Sequence, residues 1–180
     1  VVHRCDVPHA DPDGDLAGLS VGLKDIVAVA GVPMECGSDA MRGFVPRTDA
    51  AVTRRLRRAG ARITAKLTCD EFAGSARGTT GADGPVRNPN DPGHTAGGSS
   101  GGSAVAVATG EVDAAIGTDT GGSVRIPAAF CGVVGVKPTH GLVPLLGVVE
   151  NTYTQDHVGP LAPDVATCAR VLDAIAGKDP

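Results

Sequence analysis

The sequence predicts an α/β fold in which helices cover a largely buried β-sheet. Short apolar runs that suit buried strands, such as residues 61–67 and 112–118, alternate with segments of helical spacing, such as residues 50–60 and 164–177. The chain has 180 residues, of which 42% are hydrophobic and 20% charged, so it can bury a core of ordinary size. With three Phe, one Tyr and no Trp, this core must be built from Ala, Val, Leu and Ile.

The first third of the chain predicts a lead-in, a strand and a helix. Residues 1–17 are polar, rich in Asp and without periodicity, so we expect an extended lead-in before a domain at residues 18–180. The segment LSVGLKDIVAVAG alternates and is rich in β-branched residues, which predicts a strand pair with a turn near Lys24. AAVTRRLRRAG predicts a helix that Thr48 or Asp49 caps.

A long loop separates these elements from the rest. Gly, Thr, Asn, Pro and Ser dominate residues 73–103, and a loop of that length is usually functional or disordered. Beyond it, SAVAVATG predicts a small-residue helix, VDAAIGT a buried strand, RIPAAFCGVV the start of a helix and DVATCARVLDAIAG a capped final helix.

Charge and composition exclude several classes of partner. The formal net charge is −4 and no long basic run occurs, so we expect no nucleic-acid partner. No apolar run approaches the roughly 20 residues of a membrane span, so we expect no membrane partner. Five cysteines, odd in number and without metal-ligand spacing, indicate reduced thiols in a cytoplasmic protein with no metal and no cofactor. The first residue is Val rather than Met, which suggests a processed or partial chain.

The densest motif is TAGGSSGGSAVAVATG, a Gly/Ser loop that runs into a helix. It lacks the lysine of a P-loop and the glycine spacing of a dinucleotide fingerprint, so neither nucleotide site is predicted. Its GGSSG matches G-x-S-x-G, the nucleophile elbow, with Ser99 at the turn and Asp156 and His157 available to complete a triad. An elbow needs a preceding strand, and RNPNDPGHTA does not resemble one. The elbow remains an open hypothesis at this point.

A second Gly/Ser element, GTDTGGSVRIPAAFCG, delivers another serine to the start of a helix. Backbone N–H groups of Thr120, Gly121, Gly122 and Ser123 could point together at a developing oxyanion. Ser123 is then the natural nucleophile, although no neighbouring histidine is evident to accept its proton.

These motifs together resemble the amidase-signature family, the Ser-cisSer-Lys amidohydrolases. The block TAGGSSGGSAVAVATGEVDAAIGTDTGGSVRIPAAFCGVVGVKPTHG matches the family signature almost residue for residue. GLSVGLKD, LTCDEFAGS, GPVRNP and DHVGPLA extend the resemblance over about residues 18–177. It implies a mixed central β-sheet with helices on both faces, of which this chain is the N-terminal, signature-bearing part. Family members are considerably longer, so the domain is expected to be incomplete at its C-terminal side.

The resemblance also implies a mechanism. A lysine acts as base, a serine preceded by a cis peptide bond relays the proton, and a second serine attacks the carbonyl; the matching residues are Lys24, Ser99 and Ser123. Lysine can serve as a base near neutrality only if burial lowers its pKa by several units from about 10.4. The apolar neighbours of Lys24 agree with this, whereas the plain alternative is an ion pair between Lys24 and Asp25 or a surface carboxylate.

Supporting roles are expected for polar residues beside the two serines. Ser100 and Ser103 are expected to satisfy backbone groups. Asp119 and Arg125 flank the second turn and are expected to form an ion pair that holds it in place.

The resemblance implies a serine amidohydrolase that acts on a small-molecule amide through an acyl-Ser123 intermediate. Within the family, the alternative is the glutaminase subunit of a glutamyl/aspartyl-tRNA amidotransferase. An alternative of a different class is an inactive or incomplete amidase-like fragment that needs a second chain. A homodimer, or a second chain that completes the domain, is left open as partner.

Overall fold

The computed structural model describes residues 1–178. In that range the sheet has six strands: β1 (His3–Val7), β2 (Ser20–Lys24), β3 (Arg62–Leu67), β4 (Ala114–Asp119), β5 (Val134–Gly135) and β6 (His157–Ala162). The four α-helices described are α1 (Ala51–Arg58), α2 (Gly101–Ala108), α3 (Arg125–Cys131) and α4 (Val165–Ile175). Short 3-10 turns lie at Asp39–Met41 and Glu71–Ala73.

The sheet is mixed, in the order β1-β3-β2-β4-β6-β5. β2 runs parallel to β3 and to β4, and the other neighbouring pairs are antiparallel. Helices α1 and α4 contact each other, as do α2 and α3, and the two pairs pack into separate apolar clusters. A mixed sheet between two helical layers confirms the predicted fold class.

Alternate residues of the central strands divide between the two clusters. Val21 and Leu23 of β2 pack with Leu56 of α1 and Val171 of α4 in the larger cluster. The cluster on the opposite face combines small residues, such as Ala115 of β4, Ala104 of α2 and Ala128 of α3, with larger ones such as Leu67 and Leu161. Small side chains there let α2 lie close to the sheet: a Cβ at Gly102 would collide with the backbone of Thr68. This close approach brings the loop before α2 up against the ends of β2 and β4.

Three parts of the chain differ from the sequence prediction. The lead-in at residues 1–17 includes β1, which pairs antiparallel with β3 at the edge of the sheet. The segment after Lys24 does not return along β2 as a strand pair; its one bridge joins Val27 to Val148. β6, within DHVGPLA, was not predicted as a strand, because its Gly-Pro pair is unusual inside a strand.

The predicted cap of α1 is wrong. The helix begins after Ala50 and has no side-chain cap. The carboxylate of Asp49 instead accepts a hydrogen bond from Ala30 N at 2.8 Å and pairs with Arg57 at 2.8 Å. The carboxylate of Asp49, which the sequence predicts as a cap of α1, is therefore engaged in contacts with other parts of the chain.

Candidate active site

The site lies where two parallel strands end. β2 ends at Lys24 and its parallel neighbour β4 ends at Asp119, so the last residues of both strands lie at the same end of the sheet. The loop before α2 adds Ser99 and Ser100 to the same edge. Three segments that are distant in sequence therefore converge on one buried point.

Lys24 is fully buried, and its side-chain nitrogen hydrogen-bonds to two hydroxyl groups. Nζ lies 2.6 Å from Ser99 Oγ and 2.7 Å from Thr118 Oγ1. Among the described residues, no carboxylate lies within ion-pairing distance of it. Burial lowers the pKa of Lys24 from 10.5 to about 8, although the more distant Asp70, Asp119 and Asp156 oppose the shift. The neutral amine of Lys24 is consequently far more populated near neutral pH than that of an ordinary lysine.

The alternative partner of Lys24, Asp25, is occupied elsewhere. Its Oδ1 lies 2.7 Å from Nζ of Lys66, and the side chains of both residues are fully buried. Its Oδ2 accepts hydrogen bonds from the backbone N–H groups of Glu35 and Cys36. Both carboxylate oxygens are thereby satisfied, and Lys24 stands apart from the ion pair.

Ser99 is held in place through its backbone. The Gly98–Ser99 peptide bond is cis. The carbonyl of Ser99 accepts a hydrogen bond from Asp70 N at 3.3 Å, and the Asp70 carboxylate accepts bonds from Gly78 N and Thr80 N. A Cβ at Gly98 would collide with the Asp70 side chain, so this close approach requires glycine. The hydrogen bonds of Asp70 thus hold the loop that contains Ser99 in place.

The other two serines of the loop bind the backbone of β4. Ser100 Oγ donates to the carbonyl of Thr118 and accepts from its N–H, both at 3.2 Å. Ser103 Oγ donates to the carbonyl of Ile116 at 3.1 Å. These bonds fasten the first turn of α2 to the strand that leads to Ser123.

Ser123 lies in the turn between β4 and α3. Its carbonyl accepts a hydrogen bond from Ser100 N at 3.2 Å, which joins the two Gly/Ser elements directly. In the described part of the chain, no hydrogen bond links Ser123 Oγ to Ser99 Oγ. The structure brings Lys24 and Ser99 into contact and places Ser123 beside them.

An ion pair organises the turn that carries Ser123. Arg125 Nε lies 3.0 Å from Asp119 Oδ2, and its second terminal nitrogen lies 2.9 Å from Oδ1. The same carboxylate accepts backbone N–H groups from Gly122 at 2.8 Å and Val124 at 3.1 Å. Although its burial opposes the shift, these donors hold the pKa of Asp119 below its ordinary value.

The expected set of oxyanion donors needs one correction. The N–H of Gly122 points at Asp119, so it is not available to a ligand. Within residues 1–178, the N–H groups of Thr120, Gly121 and Ser123 have no acceptor. A Cβ at Gly121 would meet nothing within 4 Å, so a substrate could approach its backbone closely. The sequence could not reveal that the carboxylate of Asp119 folds back on its own turn.

Sequence reasoning missed two contacts of the site. Thr118, the hydroxyl partner of Lys24, carries no signal beyond its place before Asp119. Thr120 donates its hydroxyl to Asp156 Oδ1 at 2.5 Å, and Asp156 Oδ2 accepts from the N–H groups of Asn151 and Thr152. A buried carboxylate therefore anchors segment 151–156 to the turn that carries Ser123.

The nucleophile-elbow hypothesis fails on geometry. Among the described residues, no strand leads directly into Ser99, and the Ser99 hydroxyl contacts Lys24 rather than an imidazole. His157 Nδ1 lies 3.0 Å from a backbone carbonyl of β4, and Asp156 binds Thr120. The three members of the expected elbow triad are thus engaged with other groups.

In residues 1–178, no three His, Cys, Asp or Glu side chains are grouped as ligands for a metal ion. No helix in that range is both long and apolar enough to cross a membrane.

The fold and the site define a class of α/β proteins in which a buried lysine contacts a serine beside a second, glycine-flanked serine turn. The chain belongs to the amidase family: the family model described as Amidase matches residues 3–180. This confirms the resemblance carried by the two Gly/Ser elements.

The similar proteins are named either as amidotransferase subunits or as amidases. A glutamyl-tRNA(Gln) amidotransferase subunit from Natronomonas pharaonis is 52% identical over 167 residues, which cover 93% of this chain and 40% of the relative. The structure of the protein with the same name from Thermotoga maritima superimposes with a TM-score of 0.91 at 41% identity, covering 94% of this chain and 37% of that one. The native peptide amidase of Stenotrophomonas maltophilia superimposes with a TM-score of 0.88 at 46% identity, covering 92% and 35%. The chain thus spans less than half the length of these relatives.

Proposed function

We propose that this chain carries the catalytic centre of an amide hydrolase in which Ser123 is the nucleophile, Lys24 the base and Ser99 the proton relay. The observation that carries the proposal is the 2.6 Å contact between Lys24 Nζ and Ser99 Oγ in a fully buried environment. With a pKa of about 8, roughly one Lys24 in ten is neutral at pH 7, against fewer than about one in a thousand for an ordinary lysine.

The reaction proceeds by transfer of one proton along the three side chains. Neutral Lys24 accepts the proton of Ser99 while Ser99 accepts that of Ser123, and Ser123 Oγ attacks the carboxamide carbon. The tetrahedral oxyanion accepts hydrogen bonds from the N–H groups of Thr120, Gly121 and Ser123. The proton returns through Ser99 to the leaving nitrogen, which departs as ammonia or an amine. Water then hydrolyses the acyl ester and releases the acid.

One step of this relay requires a local adjustment. Ser99 Oγ and Ser123 Oγ share no hydrogen bond, so the Ser123 side chain must rotate toward Ser99 when substrate binds. Rotation of a serine about a single χ angle is inexpensive, and catalytic hydrogen bonds often tighten only in the substrate complex.

The test is substitution of the nucleophile. We expect Ser123→Ala to lower amide hydrolysis by about 10⁴-fold or more, because the other hydroxyl of the turn, that of Thr120, is bonded to Asp156. A phosphonylating reagent should add its mass to the wild type at Ser123 and leave Ser123→Ala unmodified. Ser103→Ala is the matched control, since that hydroxyl is buried and bonds only the backbone. Full hydrolysis by Ser123→Ala would refute the proposal.

A second candidate is the ammonia-supplying subunit of a tRNA-dependent amidotransferase. The 52% identity to a protein named as an amidotransferase subunit favours it, since the match spans nearly the whole of this chain. In that case the amide is glutamine, and hydrolysis depends on partner subunits. Ammonia release from glutamine only in the presence of a copurifying chain would establish this role. Hydrolysis of simple amides by the protein alone would favour a free-standing amidase.

We also propose that residues 18–180 form part of one longer domain. The relatives are about two and a half times the length of the matched segment. Tyr153, in the segment 151–156 that contacts Thr120, is 74% exposed, and further chain or a partner could cover it. Intact mass of the native protein, together with identification of any copurifying chain, distinguishes a homodimer from a second chain that completes the domain.

A further inference from the structure

We propose that Thr118 is a positioning residue that aims the lone pair of Lys24 at Ser99. The inference rests on the proposed role of Lys24 as base. It assigns a task to the second hydroxyl beside Nζ, which the proton relay itself does not use.

The argument begins with the hydrogen-bonding capacity of a neutral amine. A protonated lysine has three N–H donors and no acceptor, whereas the neutral form has two donors and one lone pair. To act as a base, Lys24 must direct its lone pair at the Ser99 hydroxyl. An amine on a flexible four-carbon chain does this reproducibly only if another group holds one of its N–H bonds.

Thr118 Oγ1 is placed to hold that bond. It accepts from Lys24 Nζ at 2.7 Å, and Thr118 is only 4% exposed. Ser100 Oγ bonds both the N–H and the carbonyl of Thr118, and Thr118 pairs with Val158 across β4 and β6. The backbone beneath the hydroxyl is fixed on both sides, so the acceptor does not move with the lysine.

The two hydroxyls then have different tasks. The bond between Lys24 and Ser99 reverses when the proton moves, because Ser99 donates to the neutral amine and accepts from the ammonium. The bond from Lys24 to Thr118 runs in the same direction in both states. Thr118 therefore orients the base without exchanging a proton with it.

This role predicts the direction of a pKa change. A hydrogen bond from an ammonium is stronger than one from an amine, so loss of the Thr118 acceptor destabilises the charged form more. The pKa of Lys24 should fall further below its ordinary value. A merely structural role predicts the opposite, since loosening the site would admit water and let the pKa of Lys24 rise.

The experiment measures phosphonylation of Ser123 by intact mass as a function of pH. Thr118→Val should react about tenfold or more slowly on the plateau, and the midpoint of its pH profile should move to lower pH. Thr118→Ala removes the hydroxyl without adding a methyl group. It should show the same slower rate and the same lower midpoint, and it serves as the test if the valine variant fails to fold. Thr118→Ser should restore the rate to within about twofold and the midpoint to its original position. Thr53→Val is the matched control, because Thr53 is equally buried and its hydroxyl donates only to the carbonyl of Ala28.

The outcomes separate this inference from the proposed function. An unchanged rate and midpoint in Thr118→Val or Thr118→Ala, or a midpoint that moves to higher pH, would overturn the positioning role while leaving Ser123 as nucleophile. Labelling that is independent of Ser123 would instead overturn the proposed function, and the positioning role with it.

Discussion

Lys24 and Lys66 are two fully buried lysines on neighbouring strands, and their partners differ completely. Lys66 Nζ lies 2.7 Å from the carboxylate of Asp25, whereas Lys24 Nζ contacts the hydroxyls of Ser99 and Thr118. A carboxylate favours the ammonium form, and a hydroxyl supplies a dipole but no compensating charge. The same residue type at the same burial therefore gives a structural ion pair at one position and a candidate base at the other.

Asp25 connects the two environments. It follows Lys24 directly in sequence, and its carboxylate would raise the pKa of Lys24 if the two side chains met. Lys66 and two backbone N–H groups occupy both of its oxygens. The ion pair thus keeps the carboxylate that follows Lys24 in sequence away from Lys24 Nζ, and it joins the residue after β2 to β3.

The largest expected effect is loss of activity in Lys24→Met. Removal of the proposed general base should lower amide hydrolysis by about 10²–10⁴-fold, because Lys24 Nζ is the group that hydrogen-bonds Ser99 Oγ. Circular dichroism should show an intact fold, because no ion pair is broken. Retention of activity at neutral pH would contradict the assignment of Lys24 as base.

The second effect concerns stability and Lys66. We expect Lys66→Met to lower the free energy of unfolding by about 3–5 kcal/mol, because it leaves the carboxylate of Asp25 buried and unpaired. Urea denaturation measures this loss. The double variant Lys66→Met/Asp25→Asn should recover part of it, since the amide oxygen can still accept a backbone N–H. If the double variant instead loses as much stability as Lys66→Met and Asp25→Asn lose in sum, the two side chains are not coupled.

The third effect is a pH-dependent difference in stability between the wild type and Lys24→Met. The folded-state pKa of Lys24 is about 8 and the unfolded value about 10.5, so between these values the unfolded chain binds more protons and stability rises with pH. The wild type should gain roughly 3 kcal/mol relative to Lys24→Met from pH 7 to pH 10.5. The difference is the quantity to measure, because the thiols of Cys36, Cys131 and Cys168, whose pKa values are raised by burial, contribute equally to both proteins. A constant difference across this range would argue against a depressed pKa.

The smallest effect is the pH dependence of activity itself. Only neutral Lys24 can accept a proton, so kcat/KM should fall about tenfold for each unit of pH below about 8 and level off above it. The residual kcat/KM of Lys24→Met should not show this decrease below pH 8, which is the acid limb of the pH profile. A limb centred near pH 6.5 would instead point to a histidine.

Periodicity and motif spacing predicted much of the fold. The helices α1, α2 and α4 and the strands β3 and β4 agree with the sequence patterns. α1 and α4 bury one apolar face each, whereas β4 is a short apolar run that is buried throughout. β1 and β6 were missed, since polar residues in the one and a Gly-Pro pair in the other hide the alternation. Pairing with distant strands stabilises both, and local preference carries no record of such pairing.

The candidate site divides in the same way. The resemblance to the amidase-signature family, carried by the two Gly/Ser elements and the lysine segment, predicts Lys24, Ser99 and Ser123 as a set. These motifs could not identify Thr118 as a contact of Lys24, since 94 residues separate the two in sequence. Nor could they show that Gly122 donates to Asp119.

The sequence by itself determined the family, the alternation of strands and helices, and the residues able to form a serine–lysine site. The tertiary structure decided which of two buried lysines pairs with a carboxylate and which does not. The physical reason is that the pKa of a lysine depends on burial and on the charges within a few ångströms, and both are set by strand neighbours rather than by sequence neighbours. Lys24 is adjacent to Asp25 along the chain, yet its functional surroundings come from β4 and from the loop before α2.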